Sequence, residues 1–479
     1  MTSRRRALLI NVAHGIDEVG FDHPRHHVAP MDLGIAAATL ERDGWNVELW
    51  DTQTQPHIDP ERIARMAHAK APELLILRPN HRTIQTSAAL AARLRDTTSL
   101  RCALGPAVQP HLTRLLSEPH EGADCPPLSA GFVGEPEGTL NEILPALREG
   151  TFPEGVAGLS TTHHPHPVSR PFIRDLDALE HPAHRLFMGQ GYQFRYPLDV
   201  DGPLRIGYSM TSRGCALGCV FCAPIERESY GRQYRWRSAE SVCDELAELV
   251  RLGANAVYFV DDFFAFSNRR LEELCETLLR RGVVLPWAAQ VRAQGLSLDT
   301  LRLMRRAGCS TLCFGAESGS DRVLKMLRKG VTTDQILKQS ELIRQAGIQQ
   351  VGYFIVGVPG ETDQERGETY RLIQRLQPDV AQIHIFNVFE GAPAYTDPRF
   401  TPHFDPEATK FSGPRGPMGE TYTRLRQERR RFYRRYYFAP RYLGRQLRRR
   451  WRPMLSNLSN EFDFARRSAR YFLRPGGGP

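Results

Sequence analysis

The 479-residue chain reads as an α/β protein: a doubly wound front domain, then a partial (β/α)6 barrel, then a basic helical extension. Three observations lead there. Short apolar runs alternate with helix-patterned segments in two separate series, the pattern of parallel sheets flanked by helices. A His- and Pro-rich stretch with little periodicity separates the two series. The length exceeds what one hydrophobic core fills.

The first series occupies residues 1–150. Its strands are expected at Ala7-Leu-Leu-Ile-Asn-Val, Asn46-Val-Glu-Leu-Trp, Glu73-Leu-Leu-Ile-Leu, Leu100-Arg-Cys-Ala-Leu and Ala130-Gly-Phe-Val. Helical periodicity falls between them, as in Asp32 to Arg42 and Ile84 to Arg95. Ligands of such open sheets sit at the carboxyl ends of the strands. Residues 151–203 form a linker expected to lie against both neighbours. The second series, 204–392, places strands at Leu204 to Met210, Ala256 to Val260, Trp287 to Val291, Thr311 to Phe314, Val351 to Val356 and Val380 to Phe386. Six βα units close into a partial barrel whose chemistry lies at the same strand ends. Residues 393–479 turn Pro/Gly-rich and then Arg/Tyr-rich.

A hydrophobic fraction of 41% and a charged fraction of 24% describe a globular chain and exclude a disordered one. No apolar run approaches the roughly 20 residues that span a bilayer. The basic start runs into a short buried strand rather than a signal peptide, so a cytoplasmic place is expected. Nine cysteines are too sparse for a disulfide scaffold and point to thiols in a reducing compartment. The net charge of +9 is local: Arg424 to Arg450 carries much of it, and the rest of the chain is close to balanced.

Three cysteines stand together, in Ser212-Arg-Gly-Cys215-Ala-Leu-Gly-Cys219-Val-Phe-Cys222. Three thiolates in one loop can hold three irons of a cubane, leaving the fourth open to a ligand. Gly214 and Gly218 let the loop wrap closely. The competing reading is structural zinc, which wants four ligands, and no nearby Cys or His supplies the fourth.

Cys-x3-Cys-x2-Cys, with Phe221 before its last cysteine and at the end of the first barrel strand, resembles the signature of the radical S-adenosylmethionine superfamily. The resemblance implies a [4Fe–4S] cluster on Cys215, Cys219 and Cys222. It also implies S-adenosylmethionine chelated at the open iron and a 5′-deoxyadenosyl radical that abstracts hydrogen. Later strand ends match too. Asp261 and Asp262 stand where the family faces the methionine amine, and Gln290 and Arg292 end the third strand, Arg292 able to pair with a carboxylate. Glu317 and Ser318 resemble cofactor contacts, and Gly357 and Pro359 belong to an adenine-side strand. Each also has a plainer reading, such as Asp262 as a helix cap or Gly360-Glu361 as a turn.

In the front domain, Ala29-Pro-Met-Asp-Leu-Gly, Leu104-Gly105-Pro106 and Phe132-Val-Gly134-Glu135 resemble the Rossmann-like cobalamin-binding domain that precedes many of these barrels. That implies cobalamin, with Gly105 and Pro106 at the corrin edge, together with the loop after Arg78, and Gly134 and Glu135 near its nucleotide tail. His14 stands where related domains place a cobalt-ligating histidine in Asp-x-His-x-x-Gly, but the Asp and final Gly of that pattern are missing.

The function so implied is cobalamin-dependent methylation of an unactivated carbon on a small molecule, lipid or natural-product precursor. An electron donor such as flavodoxin or ferredoxin would serve it. Alternatives are a tetrapyrrole-type cyclase or rearrangement enzyme, a tRNA methylthiotransferase-like enzyme, and a non-enzymatic Fe–S or zinc module. The methylthiotransferase would need a second cysteine trio, and the front domain has only Cys102 and Cys125. For Arg424 to Arg450 the readings, in order of preference, are a helix packed on the barrel, a peripheral membrane contact and nucleic-acid stacking.

Overall fold

In the computed structural model the described residues are 5–13, 27–54, 59–80, 83–119, 124–166, 168–194, 196–222, 230–264, 267–388, 392–403 and 419–456. Two six-stranded sheets organise them. The first contains β1 (Arg6–Val12), β2 (Asn46–Asp51), β3 (Leu74–Pro79), β4 (Leu100–Ala103), β5 (Ala130–Phe132) and β6 (Leu159–Thr161) in the order β2-β1-β3-β4-β5-β6. β1 to β5 run parallel, and their central residues are buried on both sides because helices cover both faces. The strand order reverses between β1 and β3, which puts the binding crevice of this sheet beyond Asn11 and Arg78.

The linker does more than connect. Leu159–Thr161 pairs antiparallel with β5 and forms the sheet's edge, a strand too short to leave an alternation in the sequence. Phe187 packs on the Met31–Arg42 helix at Gly34, where a Cβ would stand 2.7 Å from the ring. Tyr192 donates to Asp51 at 2.6 Å, and Tyr196 meets the Tyr353 hydroxyl at 2.8 Å.

The second sheet runs β7 (Ile206–Ser209), β10 (Ala256–Phe259), β11 (Trp287–Val291), β12 (Cys309–Glu317), β13 (Gln349–Val356) and β14 (Val380–Ile385), all parallel. A separate two-stranded ribbon pairs β8 (Ser212–Arg213) with β9 (Arg235–Trp236). Alternation sorts the barrel side chains. Val257, Phe259, Trp287, Leu312 and Phe354 share one core with the surrounding helices. Tyr258, Gln290, Tyr353 and Gln382 point the other way, and the linker's Phe194 and Tyr196 fill the space among them.

β14 is an edge strand, and the Gly419–Tyr437 helix closes it. Ile383 N–H donates to the Tyr433 hydroxyl at 2.7 Å, and Arg429 donates to the Ile383 carbonyl. Tyr437 both accepts from Ala381 N–H and donates to its carbonyl, each at 2.9 Å. The spacing 429, 433, 437 places these three side chains on one helical face. They stand in for a seventh strand, a way of protecting an exposed edge. No helix among the described residues is long and apolar enough to cross a membrane.

Candidate functional site

The site lies at the carboxyl end of the barrel, where the chain leaving β7 becomes the cysteine loop. Asp261, at the end of β10, holds the root of that loop. Its carboxylate accepts from Thr211 N–H at 3.1 Å, from the Thr211 hydroxyl at 2.7 Å and from the Ser212 hydroxyl. Burial pushes the Asp261 carboxyl up, against the pull of Arg270 and these donors. Asp261 was expected to face an ammonium group of the cofactor. Its bonds to Thr211 and Ser212 anchor the loop, and its neighbour Asp262 is exposed.

The next residue ties the loop to the front domain. Arg213 donates to Glu135 at 3.0 Å and to Glu137 at 2.6 Å, and Arg235 donates to Glu135 at 2.9 Å. All four side chains are at most 5% exposed. Two acids opposite two guanidiniums make the cluster neutral, the condition under which buried charges persist. Burial opposes the charge of Arg213, but Glu137 and its neighbours raise it. Glu135 also accepts from Ile173 N–H at 2.6 Å. The sequence places Glu135 near a corrinoid tail; in the fold its carboxylate is committed to the contact between the front sheet and the barrel.

Gly214 has φ +89, and a Cβ there would lie 2.2 Å from the Gln233 carbonyl oxygen, so the turn into Cys215 requires glycine. Val220 N–H donates to the Leu327 carbonyl, and Ala394 N–H donates to the Val220 carbonyl, pinning the middle of the loop. Cys219 is buried and Cys222 exposed, with Cys215 between these extremes. Beside them stands Lys329, its ammonium 5.9 Å from the Phe221 ring centre and 2.7 Å from Glu317. Burial works against this charge, but Glu317, with Cys219 and Cys222 as thiolates, outweighs it, and the net shift is upward.

Lys329 is the site residue that the sequence reading missed. Its mark was local: Gly315, where a Cβ would fall 2.1 Å from Glu317 and 2.5 Å from the Lys329 ammonium. Glu317 itself takes φ +60 beyond a register shift in β12, a strained conformation that turns its carboxylate toward Lys329. Ser318 is buried with its hydroxyl 3.2 Å from that of Thr369. Gln290 donates to the Tyr258 hydroxyl at 3.0 Å. Arg292 donates to the Lys329 and Gly330 carbonyls at 3.1 and 2.8 Å, and so shapes the loop that carries Lys329. A cavity of about 770 Å³ opens beside Arg292, lined also by Gln294, Gln335, Lys338 and Gln339.

At the end of β13, Gly357 has φ +78 and donates its N–H to Glu361 at 2.6 Å. A Cβ at Gly357 would meet Leu425 of the carboxyl-terminal helix at 2.5 Å. Pro359 is half-buried in the turn that follows. In the front domain Gly105, φ +100, lies against the Arg78–Asp32 ion pair, with Pro106 half-buried beside it. Gly134, φ +70, has open space where a Cβ would be. His14 lies outside the described residues.

Among the described residues no three His, Cys, Asp or Glu side chains stand close enough to hold a single metal ion. A cubane spreads its thiolates over separate irons, so its ligands stand wider apart than those of one ion. Three thiols on one pinned loop beside a half-buried lysine fit that anionic group.

Residues 209–373 match the family model of the Radical SAM superfamily. A protein of Pyrococcus horikoshii named as an uncharacterized methyltransferase is 31% identical over 272 residues, covering 56% of this chain and 57% of its own. The anaerobic magnesium-protoporphyrin IX monomethyl ester cyclase of Cereibacter sphaeroides is 24% identical over 406 residues, covering 79% of this chain and 63% of its own. The chain thus spans about three fifths of the length of these curated relatives. Among solved structures, the radical S-adenosylmethionine methyltransferase TsrM from Kitasatospora setae, with cobalamin and a [4Fe–4S] cluster bound, aligns with a TM-score of 0.62. It has 20% identity and covers 81% of this chain and 74% of that one, a likeness of fold. The cysteine loop at residues 215–222 falls inside the segment that matches the Radical SAM superfamily model, on the six-stranded sheet that carries it.

Proposed function

We propose that the chain is a cobalamin-dependent radical S-adenosylmethionine methyltransferase acting on an unactivated carbon of a small molecule, lipid or natural-product precursor. The observation that carries this reading is the double anchoring of the cysteine loop. Asp261 roots it in the barrel, and Arg213 roots it in the front domain through Glu135 and Glu137. Reaction at a carbon between two cofactors needs their holders fixed relative to each other.

When bound, the cluster with S-adenosylmethionine supplies a hydrogen-abstracting 5′-deoxyadenosyl radical, and cobalamin supplies the methyl group. Cys215, Cys219 and Cys222 would hold the cluster, with Lys329 as the cation beside them. Phe221, Asp262, Gln290, Arg292, Glu317, Ser318, Gly357 and Pro359 would cradle S-adenosylmethionine. Gly105, Pro106 and Gly134 would line the corrinoid. The linker aromatics Phe194 and Tyr196 fill the barrel interior and exclude water, which an indiscriminate radical requires. A flavodoxin or ferredoxin in the cytoplasm would supply the electron.

The second reading is a cyclase or rearrangement, favoured by the Cereibacter relative's coverage of 79% of this chain. Anaerobic reconstitution tests both. We expect about four irons, four sulfides and one corrinoid per chain, and loss of the iron in Cys219→Ala. Bound zinc alone would end the proposal. With substrate, methylated product and S-adenosylhomocysteine beside deoxyadenosine support methyl transfer; deoxyadenosine without S-adenosylhomocysteine supports the second reading.

A further inference from the structure

The Pro440–Ser456 helix has two faces with different work. One grips the start of β14: Tyr442 donates to the Asp379 carbonyl at 2.8 Å, Arg445 to the Pro378 carbonyl at 3.1 Å, and Gln446 to the Asp379 carboxylate at 3.3 Å. The opposite face presents Leu443 and Leu447, one turn apart, 45% and 58% exposed, with Phe438 just before the helix at 52%. Single exposed apolar residues need no explanation, but a contiguous row on one helical face does.

Charge frames this row. Arg434, Arg435, Arg441 and Arg448 are exposed around it. Arg424 to Arg450 holds twelve arginines and one acid, Glu428, which is taken by Arg366 of the barrel. The segment therefore carries a positive surface that it does not neutralise itself.

We propose that this face docks on an anionic lipid surface, with Phe438, Leu443 and Leu447 entering the acyl boundary and the arginines meeting headgroup phosphates. Nucleic acid fits less well. Single strands need a series of exposed aromatic platforms, yet Tyr433, Tyr436, Tyr437 and Tyr442 are turned to the backbone around β14, leaving Phe438 beside two leucines outside. A second copy would bring two cationic faces together. The inference stands apart from the cofactor reading and is tested separately from it.

The experiment is flotation of the full chain with vesicles of phosphatidylcholine alone, or mixed with phosphatidylglycerol, at low and high salt. We expect binding to the anionic vesicles only, weakened by salt. Leu443→Asp/Leu447→Asp should reduce it by about tenfold or more, because both leucines would leave the acyl boundary. Both positions are exposed, so an unchanged thermal melt should verify the fold of the variant. Equal flotation of wild type and variant would overturn the proposal, as would no flotation of either. Loss of a dimer in the variant, without vesicle binding by wild type, would assign the face to a second copy instead.

Discussion

A single carboxyl shows what burial does at the end of β13. Glu361 is 1% exposed at its side chain, and one of its oxygens accepts from Gly357 N–H while the other has no hydrogen-bond partner. Burial pushes its pKa from 4.5 up to about 7, against Gly357 and Arg366. The folded chain therefore holds an extra proton between those two values. Stability from this group is intact below the ordinary value and lost as pH rises through the folded one. Glu361→Gln, which stays neutral, should be more stable than wild type at pH 8 by about 2–3 kcal/mol and equal to it at pH 4. Urea melts at the two pH values check this, and a constant difference would refute it. The sequence marks Gly357 and Pro359 but offers a plain turn for Gly360-Glu361, since a carboxyl's burial is set by neighbours that spacing does not reveal. The partners of Glu135 were hidden for the same reason. Arg213 and Arg235, which claim it, lie 78 and 100 residues away.

Among elements, the carboxyl-terminal helix was the hardest to read. Its Arg/Tyr crowding leaves three readings open from composition alone, with the packed helix first. In the fold those residues serve the backbone of β14, so their spacing follows a strand edge rather than a ligand. Tyr433→Phe removes the acceptor of a buried N–H at Ile383 and should cost about 1–3 kcal/mol. Tyr437→Phe removes both partners of Ala381 and should cost at least as much. Faster hydrogen exchange at these two amides, with other barrel amides unchanged, is the diagnostic measurement. The barrel strands were legible throughout, because each is a β-rich apolar run between helices. β6 was not, since three residues carry no period.

At the scale of the whole molecule, the two sheets meet through charges that neither could bury alone. Removing one member leaves another uncompensated in the interior, typically a loss of 3–5 kcal/mol. Glu137→Gln should destabilise the chain by about that amount, and adding Arg213→Gln should restore part of it. Denaturation of the two variants measures the coupling; simple additivity would mean that the pair does not act as a unit. The two-sheet plan was readable from alternation, and the cysteine loop from its spacing. The charges that join them were not, because each lies in a segment whose local pattern is complete without it.

The helix that covers β14 also fixes directions in the molecule. Leu425 touches Gly357 at the carboxyl end of the barrel, and Tyr437 reaches Ala381 near its amino end. Its 19 residues make a rod of about 28 Å. The leucines beyond Pro440 therefore sit at the foot of the barrel, opposite the three thiols. A chain resting on a bilayer by that foot would hold its reactive mouth toward the aqueous side, open to a soluble redox protein.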